Sequence, residues 1–305
     1  MTTNLEMIVD GDGHIVEDLA AIAEYLPAKF RDNPARALNA SLFPPLDHLH
    51  AGHFVETPGR RDRGGAVVGP AEWEVFLQEV GIDSTILYPT TGLSYGKIVN
   101  RDWAIAVATA YNDWLHATYL KRSSRFKGMA LIPMQEPEAA RQELRRAVEE
   151  LGFVGAMLPS FGLPDHLGSK TYWSVYEEAD RLGCALAVHG GAHSGIGLDH
   201  MNVYAPVHAL GHPIGQAYAL AGMTFNGIFA RYPNMRVGFM EGGIGWFLMC
   251  WERFDRSHET HVEYPLRDDD LLGPEIGEKV SDYLQRHIDE GRLFIGCEGE
   301  EPALT

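Results

Sequence analysis

Short apolar runs rich in β-branched residues alternate along this chain with longer stretches whose apolar positions recur at helical spacing. The short runs are Met7–Val9, Ser84–Thr90, Gly128–Pro133, Val154–Leu158, Ala185–His189, Arg236–Met240 and Leu293–Gly296. Between them, helical patterns cover Glu17–Tyr25, Ala71–Val80, Asn100–Ser123, Pro137–Leu151, Lys170–Leu182, Pro213–Arg231, Gly245–Arg256 and Pro274–Glu290, with Gly81, Gly152 and Gly183 as stop signals. Strands alternating with helices predict a parallel sheet built from βα units. Residues 31–70 break the pattern: they are polar, with Pro44-Pro45 and the tract from Pro58 to Gly65, and read as an inserted loop serving as a lid or a contact between subunits. The expected fold is α/β, a (β/α)8 TIM barrel folded as a single domain over residues 1–305. Eight strands close such a barrel, and only seven runs are present, so the chain is expected to lack the last βα unit.

Composition narrows the function classes. Of 305 residues, 45% are hydrophobic and 22% charged, the profile of a folded protein with a sizeable core. The formal net charge of −17 disfavours phosphate backbones and anionic membranes as partners. No apolar run approaches the ~20 residues that span a bilayer, and the start, MTTNLEMIVDGDGH, has neither the basic nor the apolar part of a secretory leader. Cys184, Cys250 and Cys297 fit no metal-knuckle spacing and read as reduced thiols of a cytoplasmic protein.

In a barrel of this kind the chemistry sits at the carboxyl ends of the strands. The polar residues there are Asp10, Asp12 and His14 after the first run, His189 and His193 after the fifth, Glu241 after the sixth and Glu298 after the seventh. Aspartate, histidine and glutamate meeting at one mouth form a donor set for a divalent cation. In Asp12-x-His14 the two side chains are spaced to point the same way from a strand. Asp10 can instead serve loop amides. His193, His208 and His212 sit in loop or helix-start positions facing the same mouth, and Trp246, Trp251 and Phe254 at helical spacing read as core. The Gly190–Gly195 segment lacks the lysine of a phosphate-binding loop, no GxGxxG follows the first strand, and no Gly-x-Ser-x-Gly elbow occurs. Nucleotide binding, nicotinamide redox chemistry and serine hydrolysis are therefore set aside.

The segment Ile8-Val-Asp-Gly-Asp-Gly-His14, the strand-end His189 and the block Gly227–Trp246 together resemble the amidohydrolase-related, metal-dependent TIM-barrel family. That family includes aminocarboxymuconate semialdehyde decarboxylase and the non-oxidative aromatic-acid decarboxylases. The resemblance implies Asp12, His14 and His189 as metal ligands, with Glu241 standing where the family often has histidine, as a ligand or as the group orienting a metal-bound water. It implies His193, His212 and Glu298 as candidates for acid–base work or substrate contact. The family's aspartate after strand eight, in a Ser-Asp-x-Pro-His-like segment, has no counterpart in this sequence, in keeping with the strand count. The implied activity is metal-dependent, non-oxidative decarboxylation of a small aromatic or unsaturated carboxylate. Hydrolysis of an ester, lactone or amide is the alternative, and a catalytically degenerate barrel that binds a small molecule is the alternative of another class. Zinc is the expected metal, with manganese or iron also suited, and a homodimer is the expected assembly; no nucleic-acid or membrane partner is expected.

Overall fold

The computed structural model describes residues 7–32, 41–49, 68–261, 273–297 and 301–304. Most of the insertion, and Glu298, lie outside the described residues. The elements run β1 (Val9–Ile15), α1 (Leu19–Glu24), α2 (Ala28–Arg31), α3 (Pro70–Val80), β2 (Ser84–Pro89), α4 (Arg101–Leu115), β3 (Phe126–Leu131), α5 (Pro137–Glu149), β4 (Gly155–Pro159), α6 (Trp173–Leu182), β5 (Ala185–His189), α7 (Tyr204–Phe225), α8 (Ile228–Arg231), β6 (Arg236–Met240), α9 (Gly245–His261), α10 (Val280–Asp289) and β7 (Leu293–Ile295).

The seven strands form one curled parallel sheet in the order β1-β2-β3-β4-β5-β6-β7, with β1 and β7 at its edges among the described residues. All carboxyl ends therefore lie on one side. Register aligns them: His14 faces Tyr88, Pro159 faces His189, and His189 faces Met240. β4 is buried throughout and β5 almost throughout, because helices cover one face of the sheet and its own curl closes over the other. The long helix α4 is buried on most of its surface, at Ala104, Ala106, Ala108, Ala110, Tyr111 and Trp114. Asn112 is fully buried as well, accepting from the Leu131 amide and donating to the Leu131 carbonyl, which ties α4 to the end of β3. Burial this complete is tolerated because both polar ends are paired.

Several boundaries differ from the sequence expectation. β1 does not stop at Val9 but continues to Ile15, with a register shift against β2 between Asp10 and Gly13. The apolar run ends at Val9, but Asp10, Gly13 and His14 beyond it still pair their backbone with β2. Helix α7 begins at Tyr204, nine residues ahead of Pro213. Proline removes one backbone donor, and the buried face formed by Val207, Gly211, Gly215 and Gln216 carries the helix through it. α9 extends to His261, while α10 starts only at Val280. The helices stop at Gly81 and Gly183 as expected.

Candidate metal centre

β1 delivers Asp12 and His14 two residues apart, so both side chains turn to the same side of the strand. β5 ends on His189, which is wholly buried, and Glu241 follows β6 directly. One ligand atom from each of Asp12, His14, His189 and Glu241 lies within 4.8 Å of all the others. His14 Nε2 is 3.1 Å from His189 Nε2, 3.6 Å from Asp12 Oδ1 and 3.7 Å from Glu241 Oε2. His189 Nε2 lies 3.3 Å from Asp12 Oδ1 and 3.5 Å from Glu241 Oε2.

The backbone decides which nitrogens are available. His14 Nδ1 lies 2.8 Å from the Pro89 carbonyl, and His189 Nδ1 lies 2.7 Å from the Gly190 carbonyl. A carbonyl only accepts, so in each ring Nδ1 carries the hydrogen and donates it. In the neutral rings both Nε2 lone pairs then point into the same small volume, flanked by two carboxylates. Like lone pairs at 3.1 Å repel unless a cation sits among them. This donor set, with its tautomers preset by backbone carbonyls, fits a divalent metal.

The charges agree. Burial would lower the proton affinity of His189, but the Asp12 hydrogen bond and the charges of Asp12 and Glu241 outweigh it and hold its pKa above the usual histidine value. Burial would raise Glu241, but the His212 hydrogen bond and the nearby His189, His212 and His14 rings bring it down to about 2. The field that favours a proton on His189 would equally draw a metal cation.

Glu241 is the only non-glycine residue at positive φ among the described residues, with φ 53°. The turn from β6 into α9 puts it there, and the strained backbone aims its carboxylate back over the strand ends. Glu241→Gly and Glu241→Ala remove the same carboxylate but differ in backbone freedom. In metal-free protein the glycine variant is expected to be more stable than the alanine variant by about 1 kcal/mol, read from urea unfolding midpoints. Equal stabilities would mean that the turn stores no strain.

His212 approaches from α7, its Nε2 3.3 Å from Glu241 Oε2, and its Nδ1 lies 2.7 Å from Nε2 of the buried His193. The sequence expectation that these two histidines share the mouth is matched by the geometry, although neither belongs to the four-residue cluster. Two glycines make the approach possible: a Cβ on Gly190 would lie 2.3 Å from the His212 ring, and one on Gly211 would lie 2.4 Å from His193. His208 packs its ring on Tyr204 and His212. The Asp10 carboxylate is engaged elsewhere, accepting from the Asp12 amide and the Thr85 hydroxyl. Trp246 is buried, and Trp251 and Phe254 pack against the core as expected.

Three residues of the site escaped the sequence reading. Gln216 on α7 donates to the carbonyls of both Val188 and Met240, tying together the strand ends that carry His189 and Glu241. It sits inside an apolar helix and gives no local signal. Tyr88 packs its ring beside His14 and His189. Burial, followed by the Asp12 and Asp10 charges, pushes its phenol far above the usual range, so it stays protonated; its place as the residue facing His14 in the register could have marked it. The third, Asp47, comes from the insertion and meets His193.

A sequence profile described as amidohydrolase matches residues 9–269, which include Asp12, His14, His189 and Glu241. The chain belongs to the amidohydrolase family. Among amidohydrolase relatives, 2-amino-3-carboxymuconate-6-semialdehyde decarboxylase of Dictyostelium discoideum is 30% identical over 172 residues, 56% of this chain and 47% of that protein. Gamma-resorcylate decarboxylase of Rhodococcus jostii is 32% identical over 213 residues, 63% of this chain and 62% of that protein. The chain thus spans between about half and three-fifths of these two relatives. Among solved structures, 5-carboxyvanillate decarboxylase of Novosphingobium aromaticivorans, with bound manganese and 3-methoxy-4-hydroxy-5-nitrobenzoic acid, superposes with a TM-score of 0.69. That match covers 96% of this chain and 80% of the other at 21% identity, and it establishes the shared fold. No described helix is long and apolar enough to cross a membrane.

Proposed function

We propose that this amidohydrolase-family chain catalyses metal-dependent, non-oxidative decarboxylation of a small aromatic or unsaturated carboxylate. The observation that carries the reading is the pair of imidazole Nε2 lone pairs 3.1 Å apart between two carboxylates at the strand ends. Asp12, His14, His189 and Glu241 would hold the cation, which when bound supplies a localised positive charge for substrate oxygens. Decarboxylation is favoured over hydrolysis because both curated relatives described above are named as decarboxylases. Manganese is the metal to load first, given the manganese in the 5-carboxyvanillate decarboxylase structure, and zinc is the second choice. Two imidazoles and two carboxylates, with no thiolate, suit either.

As the carbon–carboxylate bond breaks, its electron pair stays on the substrate carbon, which takes a proton while CO₂ leaves. His212, backed by His193, holds a transferable proton at the edge of the four-residue cluster and is the group we assign to that transfer. Glu298 is kept as a candidate for substrate contact. The eight-unit barrel remains our reading of the architecture, since one further βα unit between the open edges β1 and β7 would close the sheet. A homodimer belongs to the same reading: Leu210, Ile214 and Tyr218, one turn apart on α7, leave an apolar stripe exposed.

The test is to strip the protein of metal, reload it with manganese or zinc, and measure CO₂ release from a panel of small carboxylates that includes gamma-resorcylate and 5-carboxyvanillate. Metal-dependent CO₂ release is expected. Ester or lactone hydrolysis without CO₂ would move the reading to a hydrolase, and stoichiometric metal with no turnover would move it to a binding barrel.

A further inference from the structure

Residues 41–49 of the insertion are fastened to loops at the carboxyl ends of the strands. Leu42, Phe43 and Leu46 are buried. Ser94 donates its hydroxyl to the Pro44 carbonyl, and Lys97 donates to the Pro45 carbonyl at 2.7 Å and to the Ser194 hydroxyl at 3.0 Å. The His193 amide donates to the Leu46 carbonyl at 3.1 Å, and His48 Nε2 donates to the Met201 carbonyl at 2.7 Å. The segment is therefore tied to the turn after β2 and to the loop after β5 at once. Its one acidic side chain points inward: Asp47 is 2% exposed. One oxygen of Asp47 accepts from the Leu49 amide at 2.7 Å, and the other lies 3.2 Å from His193 Nδ1.

From there the contacts run in one line. His193 Nε2 meets His212 Nδ1 at 2.7 Å, and His212 Nε2 meets Glu241 Oε2 at 3.3 Å. A carboxylate only accepts, so Asp47 requires the hydrogen on Nδ1 of His193. In the neutral ring that leaves Nε2 as an acceptor, and His212 Nδ1 as the donor to it. His212 is thereby oriented with its other nitrogen toward Glu241 and the strand ends. An amide or a water beside His193 could give or take a hydrogen and would leave the tautomer unset. Asp47 also caps the Leu49 amide, a purely structural task that any turn aspartate performs. The buried oxygen on His193 is not needed for that cap.

We propose that Asp47 is a positioning residue of the active site: the insertion supplies it to lock His193 in the Nδ1–H tautomer, and His193 in turn orients His212. The inference rests on the decarboxylase reading for its kinetic consequence and on geometry alone for the tautomer. The tautomer is read by ¹⁵N-correlated NMR of zinc-loaded protein labelled at histidine, zinc being diamagnetic, with the His193 signals assigned from their loss in His193→Gln. In the unsubstituted protein His193 is expected as the Nδ1–H form. Finding the Nε2–H form overturns the proposal without any Asp47 variant. In Asp47→Ala and Asp47→Asn that form is expected to give way to a mixture; an unchanged His193 signal in a folded variant overturns it.

In the manganese enzyme the same substitutions are expected to lower kcat by about 10–100-fold, as for other residues that orient catalytic groups. KM and metal content should stay within about twofold. A stability loss with kcat intact would reduce Asp47 to its cap and overturn the proposal. Should no carboxylate be turned over, the decarboxylase reading fails and the NMR result still decides the role of Asp47.

Discussion

Replacing His189 with alanine is expected to abolish metal binding and, with it, activity. In protein reloaded with manganese and measured by elemental analysis, metal content should drop from stoichiometric to background, and CO₂ release should fall by about a thousandfold or more, the equivalent of several kcal/mol. The size of the effect follows from position. His189 is the wholly buried member of the cluster, its ring is held by the Gly190 carbonyl, and its Nε2 lies within 3.5 Å of Asp12, His14 and Glu241 together. Removing it takes away the one donor wholly shielded from solvent and opens a wider, wetter space among the remaining two carboxylates and one imidazole. Glu241 is more exposed, with 43% of its side-chain surface accessible, and its loss should weaken the metal less than the loss of His189. Full metal occupancy in the His189→Ala protein would remove His189 from the ligand set.

Acid is expected to destabilise the fold in two stages, the first set by His287. This residue on α10 is 2% exposed, and Arg292 donates to its Nδ1. Burial, then the Arg292 and Arg286 charges, pull its pKa down from 6.5 to about 4. Between those values the unfolded chain takes up a proton that the folded chain refuses. The contribution is therefore intact above pH 6.5 and lost as pH falls toward 4, at a cost of roughly 3 kcal/mol. Glu178 sets the second stage. Its carboxylate is held first by the Arg145 hydrogen bond and then by Arg181, against burial, and its pKa falls from 4.5 to about 2. That stabilisation is present above pH 4.5 and disappears as pH drops through the folded value. Urea midpoints measured from pH 7 downward should decline first between 6.5 and 4. In His287→Gln that first decline should flatten, since glutamine carries no titrating group; an unchanged slope would shift its cause to another residue.

Family and cluster were both legible in the sequence because strand ends are local features. Asp12, His14, His189 and Glu241 each follow an apolar run, and a parallel sheet of βα units brings all carboxyl ends to one side. The resemblance of 8–14 and 227–246 pointed to the same family that the profile match establishes. Boundaries were less legible. The apolar run marks the first strand only as Met7–Val9, because hydrophobic pattern counts side chains, whereas backbone pairing with β2 carries the strand on to Ile15. Pro213 looked like a helix start because proline favours that position, whereas burial of one face let α7 run through it.

What the chain determines by itself is the order of its elements and the residue at the tip of each strand, since hydrophobic period and strand-end placement act over a few residues. The tertiary structure alone decided how those tips are used. The Pro89 and Gly190 carbonyls choose the nitrogens that His14 and His189 present, and Gln216 ties β5 to β6 beneath them. Asp47 reaches His193 across 146 residues of sequence. Contacts of that kind exist only after the long loops have closed, and loop closure leaves no periodic trace in the residues it joins.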